Sequence, residues 1–98
     1  MAIKVFIKRK IKEGKLPEVP NLLSKARYGA MEQTGYISSE TLSDYHDPNR
    51  VVVVSMWRDL QNWEDWKNSD RRKSNETDFE PLLDGPTDYE ICNMGITQ

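Results

Sequence analysis

The first ten positions of the chain show the alternation of a β-strand. Every second residue from Ile3 to Ile7 is apolar and β-branched. Successive side chains of a strand point to opposite faces, so residues 2–11 are predicted to form a strand with one strongly apolar face. The intervening positions, which include Lys4 and Lys8, belong to the other face.

The next apolar residues recur with the spacing of one helix face, at Val19, Leu22, Leu23, Ala26 and Ala30. A proline ring clashes inside a helix, so Pro17 and Pro20 must lie before this helix or in its first turn. The helix is therefore predicted to begin between residues 19 and 21. It is predicted to end before Gly35, which suits the stop after a helix.

Two strands are predicted to follow this helix. Residues 36–45 form a polar strand, and a turn is indicated by the sequence His-Asp-Pro-Asn at residues 46–49. Residues 50–58 form the next strand, which holds four consecutive valines at positions 51–54. Because neighbouring strand residues face opposite ways, this strand is apolar on both sides.

The last third of the chain is predicted to be helical before a final strand. Asp59 is a suitable N-cap for a helix over residues 60–67. Residues 68–80 continue it as a polar helical segment with a kink near Ser69. Residues 89–93 form a short last strand.

The predicted order β-α-β-β-α-β is the split βαβ arrangement of ferredoxin-like folds, of the α+β class. It gives a four-stranded antiparallel sheet with two helices on one face. The other face is bare in a single chain, yet the valines at residues 51–54 place apolar side chains there. No further predicted element can cover that face. We therefore expect a homodimer that forms through the sheets.

Composition limits the class of protein. The 98 residues are expected to form one domain, residues 1–98. The net charge of −2 argues against nucleic-acid binding. No apolar run approaches the roughly 18 residues of a membrane span, so no membrane partner is expected. A single cysteine, Cys92, forms no internal disulfide, which fits a cytoplasmic protein.

Few residues suggest hydrolytic or metal chemistry. His46 is interpreted as a turn residue and Cys92 as a structural thiol. One histidine and one cysteine do not suggest a structural zinc site, and the chain has no glycine-rich phosphate loop. The carboxylates Glu76, Asp78 and Glu80 are interpreted as a solvated helix face. Neither a metal nor a cofactor is therefore expected.

Aromatic residues are the more informative group. Trp57, Trp63 and Trp66 lie within ten residues, at the end of a strand and on the following helix. Asn62 precedes Trp66 by four residues, so its amide can lie beside the indole. Two interpretations stay open: the tryptophans fill a small core, or they line a pocket for a flat apolar molecule.

A family resemblance rests on the element order and on the sequence VVVVSMWRDLQNWEDWKNSD at residues 51–70. Over about residues 2–93 the chain resembles the antibiotic biosynthesis monooxygenase (ABM) family. Such proteins are homodimers whose sheets pack face to face into an α+β barrel, so the resemblance implies a dimeric α+β barrel here. The family includes cofactor-free oxygenases of anthrone- or quinol-like aromatics, heme-degrading enzymes and members without known activity.

The resemblance does not imply heme degradation. Heme-degrading members combine an asparagine on the first strand, a helix tryptophan and a histidine ten residues later. Trp66 matches the tryptophan, but Lys8 and Glu76 stand at the other two positions. A glutamate is no neutral imidazole ligand for heme iron. No heme turnover and no cofactor are therefore expected.

The resemblance to the quinol-oxidising members implies a different set of site residues. Those members use an asparagine and a tryptophan of the helix, which look like Asn62 and Trp66 here, together with a pocket arginine. The implied catalytic residues are Asn62, Trp66 and Arg58, and the implied substrate-binding residues are Trp63, Lys8 and Arg72, with Arg58 and Arg72 as alternatives for the pocket arginine.

Two functions remain open at this point. One is a cofactor-independent monooxygenase of a small electron-rich aromatic substrate, which itself supplies electrons to oxygen once it is deprotonated. The other is a non-catalytic small-molecule-binding or stress-response dimer. A cavity of roughly 300 Å³ or more beside Trp66 would favour the first, whereas a filled core would favour the second.

Overall fold

A computed structural model describes residues 1–96 of the chain. Its elements are β1 (Ile3–Lys10), α1 (Val19–Met31), β2 (Tyr36–Ser43), β3 (Arg50–Trp57), α2 (Leu60–Lys67), α3 (Asp70–Phe79) and β4 (Asp88–Asn93). Single 3₁₀ turns precede α1 and follow α3, at Leu16–Glu18 and Glu80–Leu82. The predicted order of elements is confirmed, except that the second helix is divided into α2 and α3. None of the helices in this part of the chain is both long and apolar enough to cross a membrane.

The four strands form one antiparallel sheet in the order β2-β3-β1-β4. The α+β class and the four-stranded antiparallel sheet are therefore as predicted. β1 is central, and Ile7 of β1 lies between Val53 of β3 and Tyr89 of β4. Directly paired residues share a face, so this register decides which side chains meet the helices.

One face of the sheet packs against the helices, and we call it the helix-covered face. Its main core cluster consists of Ile3, Val5, Ile7, Ala30, Trp57, Trp63 and Trp66. A second cluster consists of Ile11, Val19, Val51, Phe79 and Leu82. Both clusters contain the apolar positions predicted from the alternation in β1 and from the helical period in α1.

The opposite face, which we call the helix-distal face, carries the other half of the valine run. Val52 pairs with Lys8 and Val54 pairs with Phe6. These positions alternate with Val51 of the second core cluster. The prediction that β3 is apolar on both sides is therefore confirmed.

Local hydrogen bonds explain two differences from the predicted boundaries. β2 was expected to reach residue 45 but ends at Ser43, because the Asp44 carboxylate accepts hydrogen bonds from the backbone N–H groups of His46 and Asp47, both at 3.0 Å. The predicted kink near Ser69 is a complete break. Ser69 Oγ donates to the carbonyl of Trp66 at 2.7 Å and accepts from the backbone of Arg72, so one side chain ends α2 and caps α3.

Candidate functional site

A cavity of about 360 Å³ lies between the helix-covered face and the three helices. All three tryptophans of the chain line it, together with Ile7 and Val53 of the sheet and Ala30 of α1. The cavity is mostly apolar with a few polar groups, which is the usual form of a small-molecule site. Its volume exceeds the roughly 300 Å³ that separates a ligand site from a filled core.

Trp66 reaches this cavity because α1 has a glycine where the indole approaches. A Cβ atom at Gly29 would lie 2.6 Å from Cη2 of Trp66, closer than real Cβ contacts allow. The side of the ring therefore rests on the backbone of α1. Trp66 is also buried, so close packing against α1 restricts its position on that side.

Three further aromatic residues form a connected group beneath the helices. Ring centroids are 6.0 Å apart between Trp57 and Trp63, and 6.0 Å apart between Trp63 and Tyr89. Trp57 donates its indole N–H to Ser55 Oγ at 3.1 Å. The three tryptophans together form one wall of the cavity, which we call the tryptophan wall. The buried indole N–H of Trp57 is hydrogen-bonded within the fold.

Five charged residues line the cavity: Arg27 and Glu40, which are exposed and of opposite charge, and three that contact one another. These three, Arg9, Arg72 and Glu76, form what we call the charged cluster. Nη2 of Arg9 lies 2.6 Å from Glu76 Oε1, and Nη2 of Arg72 lies 3.1 Å from the same oxygen. Arg72 Nη2 also donates to the hydroxyl of Tyr89 at 2.9 Å. The exposed fractions of the side chains are 3 % for Arg9, 7 % for Arg72 and 21 % for Glu76. Two cations and one anion leave the cluster with a net charge of +1.

The Arg9 guanidinium is held in an unusual environment. Its central carbon lies 4.1 Å from the ring centroid of Phe79, a cation–π contact. Burial lowers the pKa of Arg9, while the Glu76 carboxylate acts in the opposite direction, and arginine keeps its charge at neutral pH. Within residues 1–96, the buried Nε–H of Arg9 has no hydrogen-bond acceptor. An unsatisfied buried donor of this kind costs about 1–3 kcal/mol.

Half of the implied site residues line the cavity: Trp66, Trp63 and Arg72. Of the two alternatives for the pocket arginine, Arg72 is among the residues that line the cavity and Arg58 is not. Arg58 is exposed just after β3, and its backbone N–H donates to the carbonyl of Gly35 at 2.8 Å.

Lys8 and Asn62, which were expected as site residues, do not line the cavity either. Lys8 belongs to the helix-distal face by the alternation of β1, and its ammonium group pairs with Glu90 at 2.7 Å. Asn62 lies against Gly35, whose missing side chain leaves room for the amide. The spacing of four residues puts Asn62 near Trp66 along α2 but does not direct it into the cavity.

Sequence reasoning missed Arg9 as a site residue and misread Glu76. Asp78 and Glu80 are exposed as expected, but Glu76 is half-buried in the cavity wall. Two signals were present in the sequence. Arg9 continues the buried alternation of β1, and Glu76 follows Arg72 by four residues, the spacing of a helical ion pair.

Comparisons with known proteins identify the family. The family model for antibiotic biosynthesis monooxygenases matches residues 2–74. The chain belongs to this family, as the resemblance predicted. No curated protein sequence matches the chain.

Solved structures show the same fold at low sequence identity. A conserved protein from Methanosarcina mazei is 23 % identical, with a TM-score of 0.86, and the match covers 93 % of this chain and 90 % of that one. SnoaB from Streptomyces nogalater, described as a cofactor-independent oxygenase, is 12 % identical, with a TM-score of 0.85, and the match covers 98 % of this chain and 95 % of that one. At these identities the likeness extends to the fold and not to individual site residues.

Proposed function

We propose that this protein is a cofactor-independent monooxygenase that acts on a small electron-rich aromatic substrate of the quinol or anthrone type. The observation that carries the proposal is the cavity of about 360 Å³ lined by three tryptophans and the charged cluster. Family membership supports the reaction class. If the tryptophans only filled the core, we would expect neighbouring side chains to occupy this space.

In this mechanism the substrate supplies all the electrons. An activated ring CH₂ group, as in an anthrone, loses a proton, and the resulting anion passes one electron to O₂. The two radicals combine to a peroxide anion, which takes up a proton, and loss of water from this hydroperoxide leaves a carbonyl group. One atom of O₂ ends in the quinone-type product and the other in water. The protein needs only to bind the ring, stabilise the anion and exclude bulk water.

The residues lining the cavity suit these three tasks. Trp63 and Trp66 offer indole surfaces for a ring, and aromatic pairs gain about 0.5–1.5 kcal/mol beyond area burial. Arg72 takes the anion-stabilising role, with Arg9 adding a second buried positive charge. α1 forms one wall of the cavity and would shield that side of a bound ring from water.

We further propose that the protein works as a homodimer formed through the helix-distal face. The centre of this face is apolar, with Phe6, Val52 and Met56 half-buried in the single chain and Leu42 47 % exposed. Charged side chains such as Lys8 and Glu90 lie around this centre. An apolar centre with a polar rim is the usual composition of a protein interface.

The activity is tested by oxygen uptake with anthrone and with naphthoquinols under air, against a protein-free control. Protein-dependent uptake should place one atom of ¹⁸O₂ in the product. Ala26 lines the cavity from α1, so Ala26→Phe should fill the cavity and abolish turnover. Lys25→Phe adds the same ring to an exposed position of α1 and should leave turnover intact. If no substrate of this class shows protein-dependent uptake, the non-catalytic binding dimer becomes the better interpretation.

A further inference from the structure

We propose that the aromatic ligand of this cavity carries a carboxylate group, which binds to Arg9, while Arg72 keeps the anion-stabilising role. The inference rests on the proposed function for the aromatic ring and adds the chemical class of its substituent. It assigns Arg9, which the family resemblance did not implicate, to ligand binding.

The first argument is charge balance. The charged cluster has a net charge of +1, and the side chains of its two arginines are only 3 % and 7 % exposed. An uncompensated charge in a buried site is costly, because little water is available to solvate it. A ligand with one negative charge would neutralise the cluster. A neutral ligand would displace cavity water and leave the positive charge less solvated than before.

The second argument is the supply of hydrogen-bond acceptors. Arg9 and Arg72 both use Nη2 to contact a single oxygen, Glu76 Oε1. The buried Nε–H of Arg9 has no acceptor among the described residues. Guanidinium groups match the two oxygens of a carboxylate, so a ligand carboxylate that reaches Arg9 would supply the acceptor that the fold does not.

The third argument favours a carboxylate over a ring hydroxyl. A phenolic hydroxyl has a pKa of about 10, whereas a carboxyl group has a pKa of about 4. At neutral pH the phenol therefore enters the cavity uncharged and compensates the cluster only after it is deprotonated. A carboxylate compensates the cluster as soon as it binds. The permanent charge of the two arginines thus fits a permanently ionised ligand group.

The test compares two bicyclic probes of nearly equal shape, 2-naphthoate and its neutral amide, 2-naphthamide. Isothermal titration calorimetry at pH 7 should show at least about tenfold tighter binding of the naphthoate, as for a desolvated charge pair. Equal binding of the two probes, or tighter binding of the amide, would overturn the inference. Binding of neither probe would also overturn it.

Two variants should move this preference in opposite directions. Arg9→Met removes one positive charge and should bring the naphthoate-to-naphthamide affinity ratio close to one. Glu76→Gln keeps an acceptor oxygen but removes the negative charge, so it should raise the ratio. A general loss of folding cannot raise the ratio. Lys8→Met removes a cation from the helix-distal face and should leave the ratio unchanged; a large fall would mean that overall charge, rather than the charged cluster, causes the preference.

These outcomes separate the inference from the proposed activity. Selective binding of naphthoate without oxygen uptake by any hydroxylated naphthoate or anthrone would support the carboxylate site and contradict the oxygenase. Oxygen uptake with neutral quinols, with no preference between naphthoate and naphthamide, would support the oxygenase and contradict the carboxylate site.

Discussion

Lys8 and Arg9 are neighbours in the chain, and each pairs with a glutamate across the fold. The distances are similar, 2.7 Å from Lys8 Nζ to Glu90 and 2.6 Å from Arg9 Nη2 to Glu76. The surroundings differ. Lys8 and Glu90 are 40 % and 56 % exposed, whereas Arg9 and Glu76 are 3 % and 21 % exposed. The alternation of β1 alone sends the two cations to opposite faces of the sheet.

This difference decides what each ion pair does. Water and salt screen the Lys8–Glu90 pair, so its contribution to stability is small. The Arg9–Glu76 pair is poorly solvated, so removing Glu76 leaves Arg9 and Arg72 without the anion that compensates them. On the helix-distal face the charged residues surround an apolar surface, whereas on the helix-covered face they line a cavity. The two ion pairs therefore have similar contact distances but different effects on stability and function.

The largest expected effect comes from placing a charge on the apolar centre of the helix-distal face. Val52→Asp should dissociate the proposed homodimer, because an unpaired buried carboxylate costs several kcal/mol. Sedimentation equilibrium measures the change. Val52→Ala removes volume but adds no charge, so that variant should remain dimeric at micromolar concentration. If the unmodified protein sediments as a folded monomer, the proposed interface is wrong.

The next effect distinguishes the two ion pairs directly. Glu76→Ala leaves Arg9 and Arg72 without their shared anion and should lower the free energy of unfolding by about 3 kcal/mol, as for other broken buried pairs. Glu90→Ala makes the equivalent change on the other face and should cost several times less. Urea denaturation measures both variants. Equal losses would mean that burial does not separate the two pairs.

The fold was predictable because its signals are local. Alternation in β1, the apolar period in α1 and the valine run of β3 each fix an element from neighbouring residues. β2 was predicted although it is mostly polar. Its polarity follows from its place as an edge strand that buries little. The division between α2 and α3 was predicted only as a kink. The structure shows a full break, because the Ser69 hydroxyl both donates to the carbonyl of Trp66 and accepts from the backbone N–H of Arg72.

The site was only partly predictable because its contacts are distant in sequence. Trp66 was identified from residue type and spacing and Arg72 from the family resemblance, and both line the cavity. Glu76 was misread because its partner Arg9 lies 67 residues away. A charged helix position looks the same in sequence whether water or a buried guanidinium faces it. The direction of the Asn62 side chain likewise depends on its packing against Gly35, which lies between α1 and β2 and is distant in sequence.

A smaller effect is expected where α1 meets the tryptophan wall. Gly29→Ala gains up to about 1 kcal/mol of helix propensity. It also places a Cβ 2.6 Å from Trp66 Cη2, and overpacking of this kind costs about 1–3 kcal/mol. We therefore expect a net loss of stability and weaker binding of 2-naphthoate, as the indole shifts towards the cavity.

A double-mutant cycle tests this explanation. Trp66→Phe removes Cη2, so Gly29→Ala should become neutral or stabilising in that background. Thermal unfolding of the four proteins gives the coupling. If Gly29→Ala costs the same with and without the indole, the contact between α1 and Trp66 does not limit the packing.

The smallest effect concerns the pH dependence of the exposed pair. Hydrogen bonding and attraction from Lys8 lower the pKa of Glu90 below its ordinary value of about 4.3. A carboxyl group whose pKa is lowered by folding stabilises the protein above its unfolded-state pKa, and this contribution is lost as the pH falls through the folded-state pKa. An NMR titration of the Glu90 carboxyl carbon should show the lowered pKa. Lys8→Met should return it to the ordinary value, and added salt should act in the same direction, because ions screen an exposed pair. An unchanged pKa in Lys8→Met would show that Lys8 is not the cause, and the contrast between the two faces of β1 would then rest on Arg9 and Glu76 alone.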